Sequence, residues 1–195
     1  EYYRHALRLS REVGREEERP RILEEMGDLH NLLGDYDDGL QAYKSAQDML
    51  GSEERELHPL ALPTLLRKVA TIHHKRGDCK RALDFLREAR KLAGRKPESE
   101  EMARILNEIG WVHQMQGEYE RAFASYNRAL KTAKRIKDLG MLSRTHYNLG
   151  ALFWHREDLE RAIRYCERAL TIDRQTKDPY SLASSYGLLG AIYFA

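Results

Sequence analysis

The sequence has little of the chemistry that cross-linked, metal-binding or membrane-inserted proteins require. Among its 195 residues only Cys79 and Cys166 are cysteines, without a Cys-x-x-Cys pair, so it supports neither a disulfide framework nor a four-cysteine zinc site. The longest apolar runs are four or five residues, whereas a membrane-spanning helix needs roughly 20. A formal net charge of +2, from 33 basic and 31 acidic side chains, gives no electrostatic reason to expect nucleic acid or a membrane as a partner.

Proline is scarce as well, and its five occurrences fall between stretches in which apolar residues have helical spacing. Because proline breaks the interior of a helix, this distribution predicts long helices joined by short loops. The chain starts at Glu1, without a methionine or a basic-then-apolar leader, so we expect a fragment of a longer protein. The expected location is the cytoplasm.

The sequence does contain an internal repeat. One row of small residues recurs every 40 or 43 residues, at Ala6, Ala46, Ala89, Ala129 and Ala169. Two further rows keep the same spacing: Gly27, Ala70, Gly110, Gly150 and Gly190, and then Gly34, Gly77 and Gly117, with Glu157 in the fourth place. The three extra residues fall in one place, around residues 52–59. A fixed period of this length is typical of stacked structural repeats.

Each unit of the repeat has the pattern of a helical hairpin. In the third unit Leu106, Ile109, Gly110 and His113 follow the spacing of an amphipathic helix. Gly117 then favours a turn, because glycine adopts positive φ at no steric cost. A small residue such as Gly110 allows two antiparallel helices to approach closely.

The third unit resembles the tetratricopeptide repeat (TPR). The residues that carry the resemblance are Leu106, Ile109, Gly110, His113, Gly117, Tyr119, Ala122, Tyr126 and Ala129. The common TPR has a period of about 34 residues, so a period of 40 is similar to the long-repeat branch in spindle-orientation adaptors, kinesin light chains, the maltotriose-sensing transcription activator and Rap proteins. The resemblance implies an all-α fold, a right-handed superhelical TPR solenoid of about ten antiparallel helices.

We predict one solenoid over residues 1–195, with four full repeats and a half repeat at each end. The full repeats are predicted at 20–51, 60–94, 101–137 and 141–176, and the half repeats at 1–14 and 179–195. The last helix has no helix after it to cover its apolar residues, which are Tyr186, Leu189, Ile192, Tyr193 and Phe194. We therefore expect an exposed apolar end that favours self-association.

No motif of phosphate-binding, dinucleotide-binding, serine-hydrolase or zinc-protease chemistry occurs. His30, His73 and His113 recur in one slot of successive repeats. Equivalent positions in stacked helices lie roughly 10 Å apart, too far for a shared metal, so we interpret these histidines as structural. Cys79 and Cys166 are interpreted as buried core residues. We expect no metal, no cofactor and no catalytic residue.

In the resembled family a second stripe on the first helix of each hairpin lines a concave groove that holds a ligand. The matching residues here, and our predicted partner-binding residues, are Arg67, Thr71, His74, Lys75, Arg104, Asn107, Trp111, Gln114, Met115, Arg144, Tyr147, Asn148, Trp154 and His155. Aromatic and arginine side chains are typical of binding hot spots. Asn107 and Asn148 are expected to pair with a peptide backbone. Alternatively, Trp111 and Trp154 fill gaps between tightly curved helices.

Two functions remain open from the sequence. The first is a non-catalytic protein-interaction scaffold whose groove binds an extended, acidic and partly apolar peptide segment of a partner. The alternative is a ligand-sensing regulatory domain of a larger signalling or transcription-regulator protein. Resemblance of this kind predicts the fold far better than the task.

Overall fold

The computed structural model describes residues 2–51 and 56–194, and this part of the chain is built of α-helices without strands. A short 3-10 helix, Glu16–Glu18, precedes the second helix. The α-helices whose bounds lie within the described residues are α1 Tyr2–Glu12, α2 Arg19–Leu33, α3 Tyr36–Met49, α4 Ala61–Lys75, α5 Cys79–Ala93, α6 Glu100–Met115, α7 Tyr119–Ile136, α8 Leu139–His155, α9 Leu159–Thr176 and α10 Pro179–Phe194. None of these helices has the length and apolarity to cross a membrane.

The chain divides into two compact units, Glu1–Arg95 and Lys96–Ala195. In unit 1, α2 pairs with α3 and α4 pairs with α5, while α3 also contacts α4. In unit 2, α6 pairs with α7 and α8 with α9, and α10 packs on α9 and α8. The continuity of the two units as one solenoid stays a prediction, and part of the predicted insertion at 52–59 lies outside the described residues.

Each hairpin turns at the residue where the repeat predicts a turn. Gly34, Gly77 and Gly117 have φ values of 85°, 81° and 73°. Glu157 takes the same left-handed conformation with φ of 60°, although it carries a side chain. This conformation costs a non-glycine residue about 1 kcal/mol, so the fourth hairpin makes its turn at an energetic disadvantage.

The close approach predicted for the small residues is confirmed at three hairpins. A Cβ added at Gly27 would lie 2.4 Å from the Cε1 atom of Tyr43. At Gly110 it would lie 2.7 Å from the Cδ1 atom of Tyr126, and at Gly150 it would lie 2.4 Å from the Sγ atom of Cys166. Each glycine of the first helix is therefore the receptacle for one side chain of the second helix.

The core of unit 1 is centred on Tyr43, Leu65 and Ile72, and the core of unit 2 on Tyr126, Leu149, Leu152, Phe153 and Cys166. The buried position predicted for Cys166 is confirmed. The same prediction is wrong for Cys79, which is only half-buried because it begins α5 at the turn of its hairpin.

The C-terminal helix exposes fewer apolar residues than the sequence predicts. Leu189 and Ile192 are buried, because that side of α10 packs into the core of unit 2. Tyr186, Tyr193 and Phe194 are 51%, 70% and 97% exposed. The apolar end of the described chain is therefore an aromatic stripe on α10.

Candidate partner-binding site

One side of α6 is left outside the core of unit 2. Its exposed or half-exposed residues are Arg104, Glu108, Trp111 and Met115, spaced so that they share one side of a helix. Trp111 is 38% exposed and Met115 is 60% exposed, whereas their neighbours on the other sides of α6 are buried. This stripe therefore presents a large indole and a flexible thioether, one helical turn apart.

The neighbouring helix α8 contributes a second stripe. Arg144 and His155 are exposed, while Tyr147, Asn148 and Trp154 are half-buried. Trp154 packs against the core of unit 2, and its ring lies 5.4 Å from the ring of His155. Partial burial raises the pKa of the Tyr147 phenol. Trp154 is therefore partly engaged with the core, and both interpretations of this residue stay open.

The two asparagines hold the stripes together. Asn148 Nδ2 donates a hydrogen bond of 3.1 Å to Asn107 Oδ1, and Asn107 is almost completely buried. Each amide has given one polar atom to the other, so the expected pairing with a peptide backbone, which stays a prediction, would use only their remaining polar atoms. Arg144 lies one helical turn before Asn148 on α8, and Trp111 lies one helical turn after Asn107 on α6.

Gln114 also has a structural partner. It is buried, and its Oε1 atom accepts a hydrogen bond of 3.0 Å from the hydroxyl of Tyr126. Burial raises the pKa of that phenol, so it remains a donor. The side chain predicted to meet a partner instead satisfies the hydroxyl of the core tyrosine that packs over Gly110.

The two arginines of the stripes differ in their pairing. Arg104 donates to the carboxylate of Glu100 one turn earlier on α6. Arg144 makes no ion pair with any residue in the described ranges. Arg144 is therefore the cation of this side of unit 2 that is ready to accept a carboxylate.

We call the two stripes together the α6–α8 face, defined by Arg104, Glu108, Trp111, Met115, Arg144, Tyr147, Asn148, Trp154 and His155.

The corresponding side of unit 1 is different, because its charges pair with each other. Lys68 Nζ lies 2.6 Å from Glu24 Oε1 and 2.5 Å from Asp28 Oδ2. The other oxygen of Asp28 accepts a hydrogen bond of 2.8 Å from the hydroxyl of Tyr43. Two carboxylates of α2 are therefore paired with a lysine of α4, and Lys68 was not among the predicted site residues.

The predicted site residues of α4 are also engaged within unit 1. Arg67 is buried, and its carbonyl oxygen accepts a hydrogen bond of 3.1 Å from the hydroxyl of Thr71. His74 is half-buried, which lowers the pKa of its imidazole. Lys75 Nζ donates a hydrogen bond of 2.9 Å to Asn31 Oδ1. This side of α4 therefore has no exposed tryptophan or tyrosine comparable to Trp111 on unit 2.

The recurring histidines have structural contacts. His113 Nδ1 lies 2.5 Å from Glu118 Oε2 at the hairpin turn, and the hydrogen bond from Arg121, followed by this contact, lowers the pKa of the Glu118 carboxyl. His73 stacks on Phe85 with ring centroids 5.3 Å apart. Within residues 2–51 and 56–194, no three His, Cys, Asp or Glu side chains are grouped so as to hold a metal ion.

These features define an all-α protein made of helical-hairpin repeats, three of which have a glycine receptacle. Residues 61–135 and 141–195 match the family model of the tetratricopeptide repeat. Because these ranges cover more than half of the chain, it belongs to the tetratricopeptide repeat family. A comparison with curated protein sequences gives no match.

Several solved structures are similar to this chain. BtubC (BKLC) from P. vanneervenii is 26% identical, with a TM-score of 0.81 over 98% of this chain and 78% of that protein. Aspartyl phosphate phosphatase F from Bacillus subtilis is 17% identical, with a TM-score of 0.79 over 88% of this chain and 44% of the phosphatase. A Rap protein in complex with competence and sporulation factor is 17% identical, with a TM-score of 0.77 over 90% of this chain and 48% of that protein.

The chain thus spans less than half the length of the last two proteins, and at 17% identity the likeness to them shows the fold alone. The phosphatase activity in the name of that protein is therefore not assigned to this chain. Family membership indicates a protein-interaction scaffold with protein or peptide partners, and TPR folds are generally non-catalytic.

Proposed function

We propose that this chain is a non-catalytic protein-interaction scaffold that binds an extended, acidic and partly apolar segment of a partner protein on the α6–α8 face. The observation that carries the proposal is the exposure of Trp111 and Met115 on α6, together with the unpaired Arg144 on the neighbouring helix α8. Isolated exposed apolar residues are common on protein surfaces, but an indole, a thioether and a free cation on adjoining stripes are the composition of a hot spot.

The geometry suggests how a segment would lie. A carboxylate of the partner would pair with the guanidinium of Arg144, which offers a planar pair of donors. An apolar side chain further along would cover the exposed part of Trp111, and Met115 would adapt its shape to the next one. Burial of a residue such as Trp at the centre of an interface is typically worth about 2 kcal/mol or more.

The charges of unit 1 support this assignment to unit 2. Lys68 and Lys75 already contact polar groups of α2, so an acidic segment would have to displace those contacts before it could bind them. We therefore propose smaller roles for Thr71, His74 and Lys75 than for Arg144 and Trp111. A cytoplasmic location likewise remains a proposal.

The alternative is a ligand-sensing domain. It is favoured by the likeness to a Rap protein that was crystallised with competence and sporulation factor. In that case a small ligand, rather than an extended segment of a partner, would occupy the same face and change the packing of the hairpins.

The experiment is a selection of short random peptides displayed on phage against the whole chain, with no assumption about sequence. We expect enrichment of peptides that combine Asp or Glu with Leu, Phe or Trp. Binding of an enriched peptide should weaken about tenfold or more in Trp111→Ala and in Arg144→Glu. The matched control is Arg128→Glu, which makes the same charge change on an exposed residue of α7 and should bind like the wild type.

Enrichment of basic peptides, or equal binding by Arg144→Glu and the wild type, would contradict the acidic-peptide proposal. If no peptide is enriched while sugars or other metabolites quench the tryptophan fluorescence of the wild type but not of Trp111→Ala, the sensing alternative is correct.

A further inference from the structure

A cavity in unit 1 is formed by residues of the second hairpin, α4–α5. It measures about 340 Å³ and is lined by His73 of α4 and by Arg81, Asp84, Phe85 and Glu88 of α5. The three charged side chains of this set are exposed, whereas His73 and Phe85 are half-buried. The charged groups therefore lie nearer to the solvent than the two rings.

The two rings of the cavity form a stacked pair. The ring centroids of His73 and Phe85 lie 5.3 Å apart, with an interplanar angle of 14°. Burial lowers the pKa of His73, so the imidazole is uncharged at neutral pH and does not repel a cation. The repeat does not require this pair, since the equivalent residues of the third hairpin are His113 and Ser125.

The fourth hairpin shows what such a pair of rings binds within this chain. Two periods after the pair of the second hairpin lie Phe153 and Tyr165, whose ring centroids are 5.4 Å apart at an interplanar angle of 5°. The Cζ atom of Arg168 lies 5.5 Å from the centroid of the Tyr165 ring. The Cζ atom of Arg161 lies 4.4 Å from the centroid of the Phe153 ring. A guanidinium group therefore covers each ring, through the attraction of a cation to an aromatic face.

The second hairpin has carboxylates where the fourth has arginines. Asp84 and Glu88 lie two periods before Arg164 and Arg168. Asp84 accepts a hydrogen bond of 3.1 Å from Arg87, but Glu88 makes no ion pair within residues 2–51 and 56–194. The ring pair of the second hairpin thus lies beside a free carboxylate instead of a guanidinium.

Arg81 also lines the cavity, but its charge is balanced. Its Nε atom lies 3.3 Å from Asp78 Oδ2 at the start of α5. Because His73 is uncharged and Arg81 and Asp84 each have an ion pair, the unbalanced charge at the cavity is the negative charge of Glu88. Two rings beside one free carboxylate favour a cation that is flat enough to lie on a ring.

We propose that this cavity binds the guanidinium group of an arginine side chain of a partner protein, which stacks on Phe85 and pairs with Glu88. The contact would repeat, between two proteins, the stack of Arg168 on Tyr165 within the fourth hairpin. A guanidinium is planar and offers paired donors, so it lies on a ring and binds a carboxylate at the same time, whereas an ammonium is a compact point charge. A partner protein is the source because the family indicates protein partners.

The test is an NMR titration of the whole chain with Nα-acetyl-arginine amide, followed at the signals of His73 and Phe85. Nα-acetyl-citrulline amide has nearly the same shape without the charge, and Nα-acetyl-lysine amide has the charge without the planar group. We expect the arginine amide to shift both signals in a saturable way. The other two amides should bind at least about fivefold more weakly, because each lacks one of the two contacts.

Two variants at one exposed residue sharpen the test. Glu88→Gln should weaken the binding of the arginine amide about fivefold, because it removes the ion pair and keeps the shape of the side chain. Glu88→Arg should abolish binding, because the new guanidinium would cover Phe85 as Arg168 covers Tyr165. The matched control is Glu167→Gln, the same change on an exposed residue of α9, which should bind like the wild type. Circular dichroism and thermal unfolding check that each variant is folded.

Four results would overturn the proposal. They are the absence of a saturable shift with the arginine amide, equal binding of the citrulline or lysine amide, and wild-type binding by Glu88→Gln or by Glu88→Arg. The fourth is free arginine that binds at least about tenfold more tightly than its amide, because the cavity would then serve a free amino acid.

The cavity and the α6–α8 face share no residue, and they are proposed for opposite charges. A peptide bound in the cavity should lose affinity in Glu88→Gln and keep it in Trp111→Ala and Arg144→Glu. A peptide bound on the α6–α8 face should show the reverse pattern. Each proposal can therefore be contradicted without the other.

Discussion

The third hairpin, α6–α7, and the fourth, α8–α9, have nearly the same length, the same kind of turn and a glycine receptacle each, but their cores differ in chemistry. Three apolar positions of the third hairpin, Ala103, Leu106 and Ala133, become Ser143, His146 and Asp173 one period later. All six of these side chains are buried. The repeat therefore sets which positions are inside, while the polarity of those positions is decided hairpin by hairpin.

The polar positions of the fourth hairpin are of two kinds. Asp173 accepts hydrogen bonds from the hydroxyls of Ser143 on α8 and Ser185 on α10, the latter at 2.6 Å. This group ties three helices together. In contrast, His146 lies in the slot of a leucine, and its Nδ1 atom has no hydrogen-bond partner in the described part of the chain. A buried polar atom without a partner typically costs 1–3 kcal/mol.

The largest loss of stability is expected when Asp173 is replaced by alanine, the residue at the equivalent position of the third hairpin, while its two serine partners are kept. Asp173→Ala should lower the free energy of unfolding by about 2–4 kcal/mol, because two buried hydroxyls lose their acceptor. The triple variant Ser143→Ala, Asp173→Ala, Ser185→Ala should recover at least about 1 kcal/mol of that loss, since no unpaired group remains. Urea unfolding measures both. A triple variant no more stable than Asp173→Ala would contradict this account.

A smaller, pH-dependent effect is expected from His146→Leu, which copies Leu106 of the third hairpin. Burial, then Arg168 on α9 and Lys134 on α7, lower the pKa of His146 from 6.5 to about 4; the ring of Tyr165 lies 5.9 Å away. Below pH 6.5 the unfolded chain binds a proton that the folded chain does not. Protonation of this residue in the unfolded chain therefore lowers the free energy of unfolding of the wild type as the pH falls from 6.5 towards 4. Above pH 6.5 this loss is absent.

We expect His146→Leu to be more stable than the wild type by about 1–3 kcal/mol at neutral pH. The difference should grow by up to about 1.4 kcal/mol per pH unit between pH 6.5 and 4. Urea unfolding of both proteins at several pH values gives the comparison, with Leu106→His as its mirror image in the third hairpin. A difference that does not change with pH would show that His146 is not the titrating group.

The smallest effect is expected at the turn. Glu157→Gly gives the fourth hairpin the glycine that the third has at Gly117, and it removes the strain of a left-handed glutamate. The gain should be about 0.5–1 kcal/mol, because part of the relief is offset by the greater freedom of glycine in the unfolded chain. Thermal unfolding should show a small rise in Tm. A fall in Tm would mean that the Glu157 side chain contributes a contact that outweighs the strain.

Much of the fold can be predicted from the rows of small residues in the repeat. The spacing of Gly27, Gly110 and Gly150 predicts both the period and the tight pairing of helices, because only a missing side chain admits Tyr43, Tyr126 or Cys166 so closely. The turn positions follow from a similar row, and even the departure at Glu157 keeps the backbone conformation of its glycine equivalents. These features depend on local sequence and recur, so the sequence predicts them well.

The candidate site could be predicted only in outline. The helical spacing of the second stripe predicts that Trp111, Met115 and Arg144 lie at the surface. It does not predict side-chain contacts with the adjacent repeat, such as Lys68 with Glu24 or Asn148 with Asn107. Those pairs depend on how far each side chain reaches between helices. Gln114 was assigned to the groove for the same reason: its bond to Tyr126 depends on the depth of that ring, which the helical period does not encode.

The glycine receptacle of the fourth hairpin gives the chain a built-in chemical reporter. Cys166 is completely buried over Gly150, and burial raises the pKa of its thiol to about 11. An alkylating reagent attacks a thiolate and needs access to it, so Cys166 is modified only in the moments when α9 lifts away from α8. Cys79 is only half-buried, so we expect it to react without such an event. The ratio of the two labelling rates therefore reports how often the fourth hairpin opens in the wild-type protein.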